Sequence, residues 1–103
     1  MSDRGEVTAT IGGEARVLCL TLGALAELEA RVDGDLMGLA ERFFDERVTA
    51  KDLIAILGAG LRGGGNAITD DDLARMSIDG GLIAAKDIAH DLLQATFGEP
   101  TQP

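Results

Sequence analysis

A mainly helical α+β fold, with an N-terminal β-hairpin packed on about five short helices, is predicted by three features of the chain. The first is an alternating segment, Glu6-Val7-Thr8-Ala9-Thr10-Ile11, that runs into a Gly-Gly pair. The second is a threonine–aspartate start pattern that occurs twice, at Val48 to Leu53 and at Ile68 to Leu73. The third is composition: 46% of residues are hydrophobic, yet Phe43, Phe44 and Phe97 are the only aromatics. A core without Trp or Tyr must be built from Leu, Ile, Val and Ala, and an alanine-rich core of this kind is usually helical.

Polar and apolar residues alternate over Glu6 to Ile11, as they do in a half-buried strand. Gly12-Gly13 is a two-residue hairpin signal, and Glu14 to Leu20 reads as the return strand. Val17 and Cys19 fall on one face of that strand, Leu18 and Leu20 on the other, and two apolar faces suggest that the helices pack closely over this hairpin. A lone hairpin is marginal in water and must lie against them. Thr21 can cap a first helix running to about Val32. Leu22, Leu25, Leu28 and Val32 are its apolar stripe, with Glu27, Glu29 and Arg31 off it. Asp33-Gly34-Asp35 breaks the chain, and Asp35 can cap a second helix through Asp45. Leu36, Met37, Leu39, Ala40, Phe43 and Phe44 are the apolar residues of that helix.

Thr49 at N-cap and Asp52 at N3 have the spacing of a capping box, with Val48 and Leu53 placed as a hydrophobic staple. Leu53, Ile54, Leu57 and Leu61 follow at helical spacing, and Gly63 to Gly65 should end this third helix. Ile68, Thr69, Asp72 and Leu73 repeat the start pattern for a short fourth helix ending near Met76. Gly80-Gly81 precedes a fifth, with Leu82, Ile83, Ile88, Ala89, Leu92, Leu93 and Phe97 apolar; Gly98 and Pro100 stop it. At 103 residues the chain is one domain, residues 1–103, with one modest core. Order is expected over about residues 5–98, with mobile ends.

The formal charge of −9 and a pI near 4.3 set this protein against phosphate backbones and anionic membrane surfaces, so neither nucleic acid nor membrane is an expected partner. The same charge favours solubility and a partner with basic patches. Most of the acids nonetheless read as solvated helix faces. Cys19 is the single cysteine; it cannot make an internal disulfide or, alone, a metal site, and it fits a reducing cytoplasm. Met1 to Gly5 is polar and lacks the apolar segment of a signal peptide, and no apolar run approaches a membrane span.

Gly58, Gly60 and Gly63 spell Gly-x-Gly-x-x-Gly, the spacing of a dinucleotide-binding turn, and Asp79 lies 19 residues after Gly60. Such a turn must follow a strand and open a helix. The capped helix start at Thr49 puts these glycines late in a helix instead. Asp70-Asp71-Asp72 reads as acids at the positive end of a helix, because EF-hand spacing is missing. Asp33-Gly34-Asp35 reads as a turn plus a cap. His90 has Asp87 and Asp91 nearby but no nucleophile: Cys19 lies in a strand and Ser77 in a turn, so it reads as a partly exposed helix histidine. No catalytic residue, cofactor or metal is expected. Phe43 and Phe44 point about 100° apart on a helix. Burial of both is favoured; an exposed ring would be a natural partner anchor.

Leu20-Thr21-Leu22-Gly23-Ala24-Leu25-Ala26-Glu27-Leu28-Glu29 and Asp52-Leu53-Ile54-Ala55-Ile56-Leu57-Gly58-Ala59-Gly60-Leu61-Arg62-Gly63-Gly64-Gly65 are similar to the two hallmark blocks of a protein family from the tail-gene region of gene transfer agents, which are phage-like particles. With the hairpin and the second Gly-Gly pair, the resemblance covers about residues 5 to 98. It implies a non-enzymatic tail assembly chaperone of a siphovirus-like particle, acting in the cytoplasm of the bacterial host. The implied partners are the tape-measure protein and the tail-tube subunits recruited around it, with self-association a further possibility. The family also carries the label of a tail-tube protein. Tube rings are generally built from β-rich subunits, and this chain offers two strands. A small acidic adaptor is the reading from outside phage biology. On the residues alone, an apolar strip including Met37 or Phe44, with Glu41 and Asp45 at its rim, is the expected partner-binding surface.

Overall fold

The computed structural model describes residues 5–97. Strands β1 (Glu6–Ile11) and β2 (Glu14–Cys19) pair antiparallel around Gly12-Gly13. Both turn glycines have positive φ, 66° and 84°, as a two-residue turn of the type I′ class requires. Val7 lies opposite Leu18 and Ala9 opposite Arg16, and this face turns inward, with Ile11 and Leu18 fully buried. The hairpin tip is held from behind: Ile11 bridges Ile78, and the Gly12 amide donates to the Ser77 carbonyl at 2.9 Å.

Helices follow in the order α1 (Leu22–Arg31), α2 (Leu36–Phe44), α3 (Ala50–Gly63), α4 (Asp70–Ala74) and α5 (Gly81–Phe97). Four starts are capped as the sequence predicts. Thr21 accepts from the Ala24 amide at 3.1 Å and Asp35 from Gly38 at 2.9 Å. Thr49 with Asp52, and Thr69 with Asp72, form complete capping boxes. The staple residues Val48 and Ile68 lie against the same core as Leu53 and Leu73. Helix α3 is the centre of the fold: it buries Leu53, Ile56, Leu57, Ala59 and Leu61 and packs on β2, α1, α4 and α5. Helix α2 makes no comparably close backbone approach and is attached through Leu39, Ala40 and Phe43. It ends on Glu46, which has φ of 60° while the Glu46 and Arg47 amides return to the Phe43 and Arg42 carbonyls. That is a Schellman ending with glutamate where glycine is usual.

Four expectations need correction. Helices cover only one face of the hairpin. Thr8 stands opposite Val17 and Glu6 opposite Cys19, so the second face is mixed, and Val17 is 36% exposed. Leu22 is not part of the α1 core stripe; Ala24 and Leu28 are its buried residues. Each step of three residues falls about 60° short of a turn, so two such steps carry Leu22 far off the face that holds Leu28. In α5 the buried residues are Ala85, Ala89, Leu92 and Leu93, while Leu82 and Ile83 of its first turn stand exposed. Phe43 is buried but Phe44 is 51% exposed, because a helix lying on the surface has one inward face. The expected helix stop at Gly98 and Pro100 and the expected mobile ends lie outside the described residues.

The capping boxes also set an acid limit. Burial pushes the Asp52 carboxyl up, but the Thr49 amide and the Arg42 guanidinium outweigh it and hold the pKa below 3.8. The Thr49 hydroxyl adds to this. The Thr69 amide and hydroxyl lower Asp72 in the same way. A carboxyl depressed by folding stabilises the fold above its unfolded pKa, and that contribution is lost as the pH falls through the folded value. Thermal unfolding should therefore show stability declining below about pH 4, less steeply in Asp52→Asn. At neutral pH, Thr49→Ala and Thr69→Ala should each cost about 1 kcal/mol. That corresponds to a fall in melting temperature of about 4–8 °C.

Candidate functional site

Two features hold the residues that the sequence singles out: the glycine block of α3 and the outer surface shared by α2 and α5. In the first, Gly58 and Gly60 lie inside α3 and Gly63 is its last residue, so the run follows no strand and opens no helix. Its glycines face protein. A methyl group on Gly60 would meet Leu92 Cδ2 at 2.5 Å and Leu18 Cβ at 3.4 Å. On Gly63 it would overlap the Cys19 carbonyl, on Gly64 the Val17 carbonyl, and on Gly58 the Asp70 carboxylate. The helix ends in a Schellman arrangement: the Asn66 amide donates to Leu61 at 2.9 Å and Gly65 to Arg62 at 3.1 Å. Gly65, with φ of 97°, is the left-handed residue. The Asn66 side chain then donates to the Val17 carbonyl at 2.8 Å, tying this helix end to β2.

The room left by Gly58 is filled by an ion-pair cluster. Arg62 grips Glu27 through Nη2 at 2.7 Å and Nε at 3.2 Å, and places Nη1 3.0 Å from Asp70 Oδ1. The same Nη1 donates to the Ile68 carbonyl at 2.8 Å, and Arg31 pairs with the other oxygen of Asp70. The cluster joins α1, α3 and α4. Asp70, Asp71 and Asp72 all lie in the first turn of α4, as the sequence predicts, and Asp70 also belongs to this cluster, whose cations come from α1 and α3. Among the described residues no group of three or more His, Cys, Asp or Glu could hold a metal ion. His90 is partly exposed, its ring stacked on Phe43 with centroids 6.2 Å apart and set edge-on to Phe44 at 5.6 Å.

The second feature is a pair of shallow grooves that meet at Phe44. One, of about 670 Å³, is lined by Met37, Ala40, Glu41, Phe44, Asp45 and Phe97. The other, of about 340 Å³, includes Phe44, Glu46, Ile83, Asp87 and His90. The structure therefore brings Met37, Glu41, Phe44 and Asp45 into one groove. Met37 is 64% exposed and Ile83 74%. Such a surface offers apolar burial and charge matching to another molecule. Among the described helices, none is long and apolar enough to cross a membrane.

The family described as phage tail tube protein, GTA-gp10, matches residues 4–99. The chain belongs to this family. It is a protein of the gene transfer agent tail region. No curated protein and no solved structure matches it. In this tail-region protein the sequence singled out Met37 and Phe44 on α2 and placed Ile83 and Phe97 only with the apolar residues of their helix. The signal available for them was their spacing, seven and fourteen residues from Ile83 to His90 and Phe97.

Inside an unconstrained helix, Gly→Ala stabilises by up to about 1 kcal/mol. Here Gly60→Ala and Gly63→Ala should destabilise, Gly63→Ala the more because it meets backbone that cannot rotate away; about 1–3 kcal/mol is expected from overpacking. Urea unfolding of the two variants beside wild type measures this. A gain in stability for both would mean that α3 does not approach β2 and α5 this closely.

Proposed function

We propose that this chain is a non-enzymatic tail assembly chaperone that binds the tape-measure protein during particle assembly in the bacterial cytoplasm. The observation that carries the proposal is the groove at Phe44. Large apolar side chains stand in water on α2, rimmed by Glu41 and Asp45, although the core already has enough leucine to close without them. Exposed contiguous apolar surface on a small protein marks an interaction site. Met37 and Phe44 are the anchors and the two acids meet basic residues of the partner. A tail-tube component is the second reading, favoured by the wording of the family description. The architecture supports the chaperone over it. A tube ring needs sheet to surround its lumen, and the described residues contain one two-stranded sheet.

Two measurements test this. Co-expression with the tape-measure protein should give a complex that co-purifies, weakened about tenfold or more by Phe44→Ala and less by Met37→Ala. Mass spectrometry of purified particles separates the two readings. A chaperone is expected to be missing from the finished tail or present in trace amounts, whereas a tube subunit would be among its most abundant proteins. Failure of wild type to form the complex would count against the chaperone reading itself.

A further inference from the structure

The two grooves form one seam with a seven-residue repeat on both of its walls. On α2 the exposed anchors Met37 and Phe44 are seven residues apart. On α5 Ile83, His90 and Phe97 follow at the same interval. Met37 shares its groove with Phe97, Phe44 touches His90, and Glu46 shares a groove with Ile83. The helices therefore pass one another in opposite directions with matching repeats. Seven-residue spacing keeps side chains on one face over successive turns, which is the arrangement that another helix reads by setting its own side chains between them. An extended peptide would need a free strand edge for its backbone, and the groove walls here are helices.

Charge decides what kind of helix fits. Glu41, Asp45, Glu46 and Asp87 line the grooves against, among the described residues, a single cation, Lys86; Arg47 reaches Asp45 at 3.2 Å and offsets one acid. A second copy of this chain is a poor occupant. A symmetric pairing would bring two mostly acidic rims together, on two molecules of charge −9.

We infer that the seam between α2 and α5 receives a basic amphipathic helix, with apolar residues at seven-residue intervals and Lys or Arg on its flanks. Ile83 and Phe97 contact it as directly as Phe44 does. The span from Ile83 to Phe97 corresponds to about 14 residues of partner helix. The inference rests on the proposed chaperone function for the partner's identity; what it adds is the α5 wall and the character of the recognised segment.

The test is binding of the full chain to immobilised tape-measure protein, with Ile83→Asp and Asp87→Lys compared with wild type and melting curves recorded for each. Both residues are exposed, so unchanged melting is expected. Ile83→Asp should weaken binding about tenfold or more. Asp87→Lys should slow association several-fold at low salt, the difference vanishing at about 0.5 M salt. If wild type binds and both variants bind equally well, the seam is overturned while the chaperone function stands. If wild type does not bind, both fall. Sedimentation of the chain alone completes the test: a dimer abolished by Ile83→Asp would identify a second copy as the occupant and overturn the basic-helix assignment.

Discussion

The close approach of α3 to β2 is the constraint on which the rest of this structure depends. The end of the helix lies so near the strand that carbonyl groups of Val17 and Cys19 occupy the places where side chains of residues 64 and 63 would begin. One turn earlier, Leu18 and Leu92 close over Gly60 from two sides. The core of a 103-residue chain with almost no aromatic volume gains most from short inter-element distances, because dispersion contacts are lost steeply with separation. The glycines supply those distances. Their conformational cost within a helix, about 1 kcal/mol each relative to alanine, is offset by the packing they permit.

Two groups of acids have different roles. Asp52, Asp70 and Asp72 are committed to the fold. Two complete capping boxes, and Asp52 also meets Arg42 at 3.1 Å; the third closes the cluster around Arg62. The partly buried members of these pairs contribute more than exposed ion pairs such as Arg75 with Asp72, which are worth little in water. The other population, including Glu41, Asp45, Glu46 and Asp87, lies on the α2 and α5 side and has no structural duty of this kind apart from the exposed contact of Asp45 with Arg47. It gives that side of the molecule a negative rim around an apolar floor.

Helix α2 is the element that joins the core to the exposed apolar surface. Its attachment to the body is modest: Leu39 and Phe43 inward, the stack of Phe43 on His90, and Arg42 reaching Asp52. Its outer face carries Met37 and Phe44 into solvent. A helix that gives one face to the core and keeps a second apolar face unpaired exposes hydrophobic surface at a cost, and a partner that covers it recovers that free energy. Membership of a gene transfer agent tail family is consistent with such a surface, since tail assembly proceeds through protein–protein contacts.

The local chemistry of the chain determined its elements. Alternation and the Gly-Gly turn give the hairpin, and the pairs Thr49–Asp52 and Thr69–Asp72 fix two helix starts, because capping bonds join residues three apart and need nothing beyond the segment itself. The α+β class and the placement of Gly58 and Gly60 within a helix follow from the same local logic. What tertiary structure decided is which of several apolar residues face inward. Leu22, Phe44, Leu82 and Ile83 are as hydrophobic as their buried neighbours, yet burial depends on where another element lies, and periodicity carries no information about that. The same holds for Asp70, whose cations Arg31 and Arg62 arrive from other helices. It holds also for the seam, whose two walls are brought together only when α5 packs across the fold and meets α2, an encounter written in long-range packing and not in either helix alone.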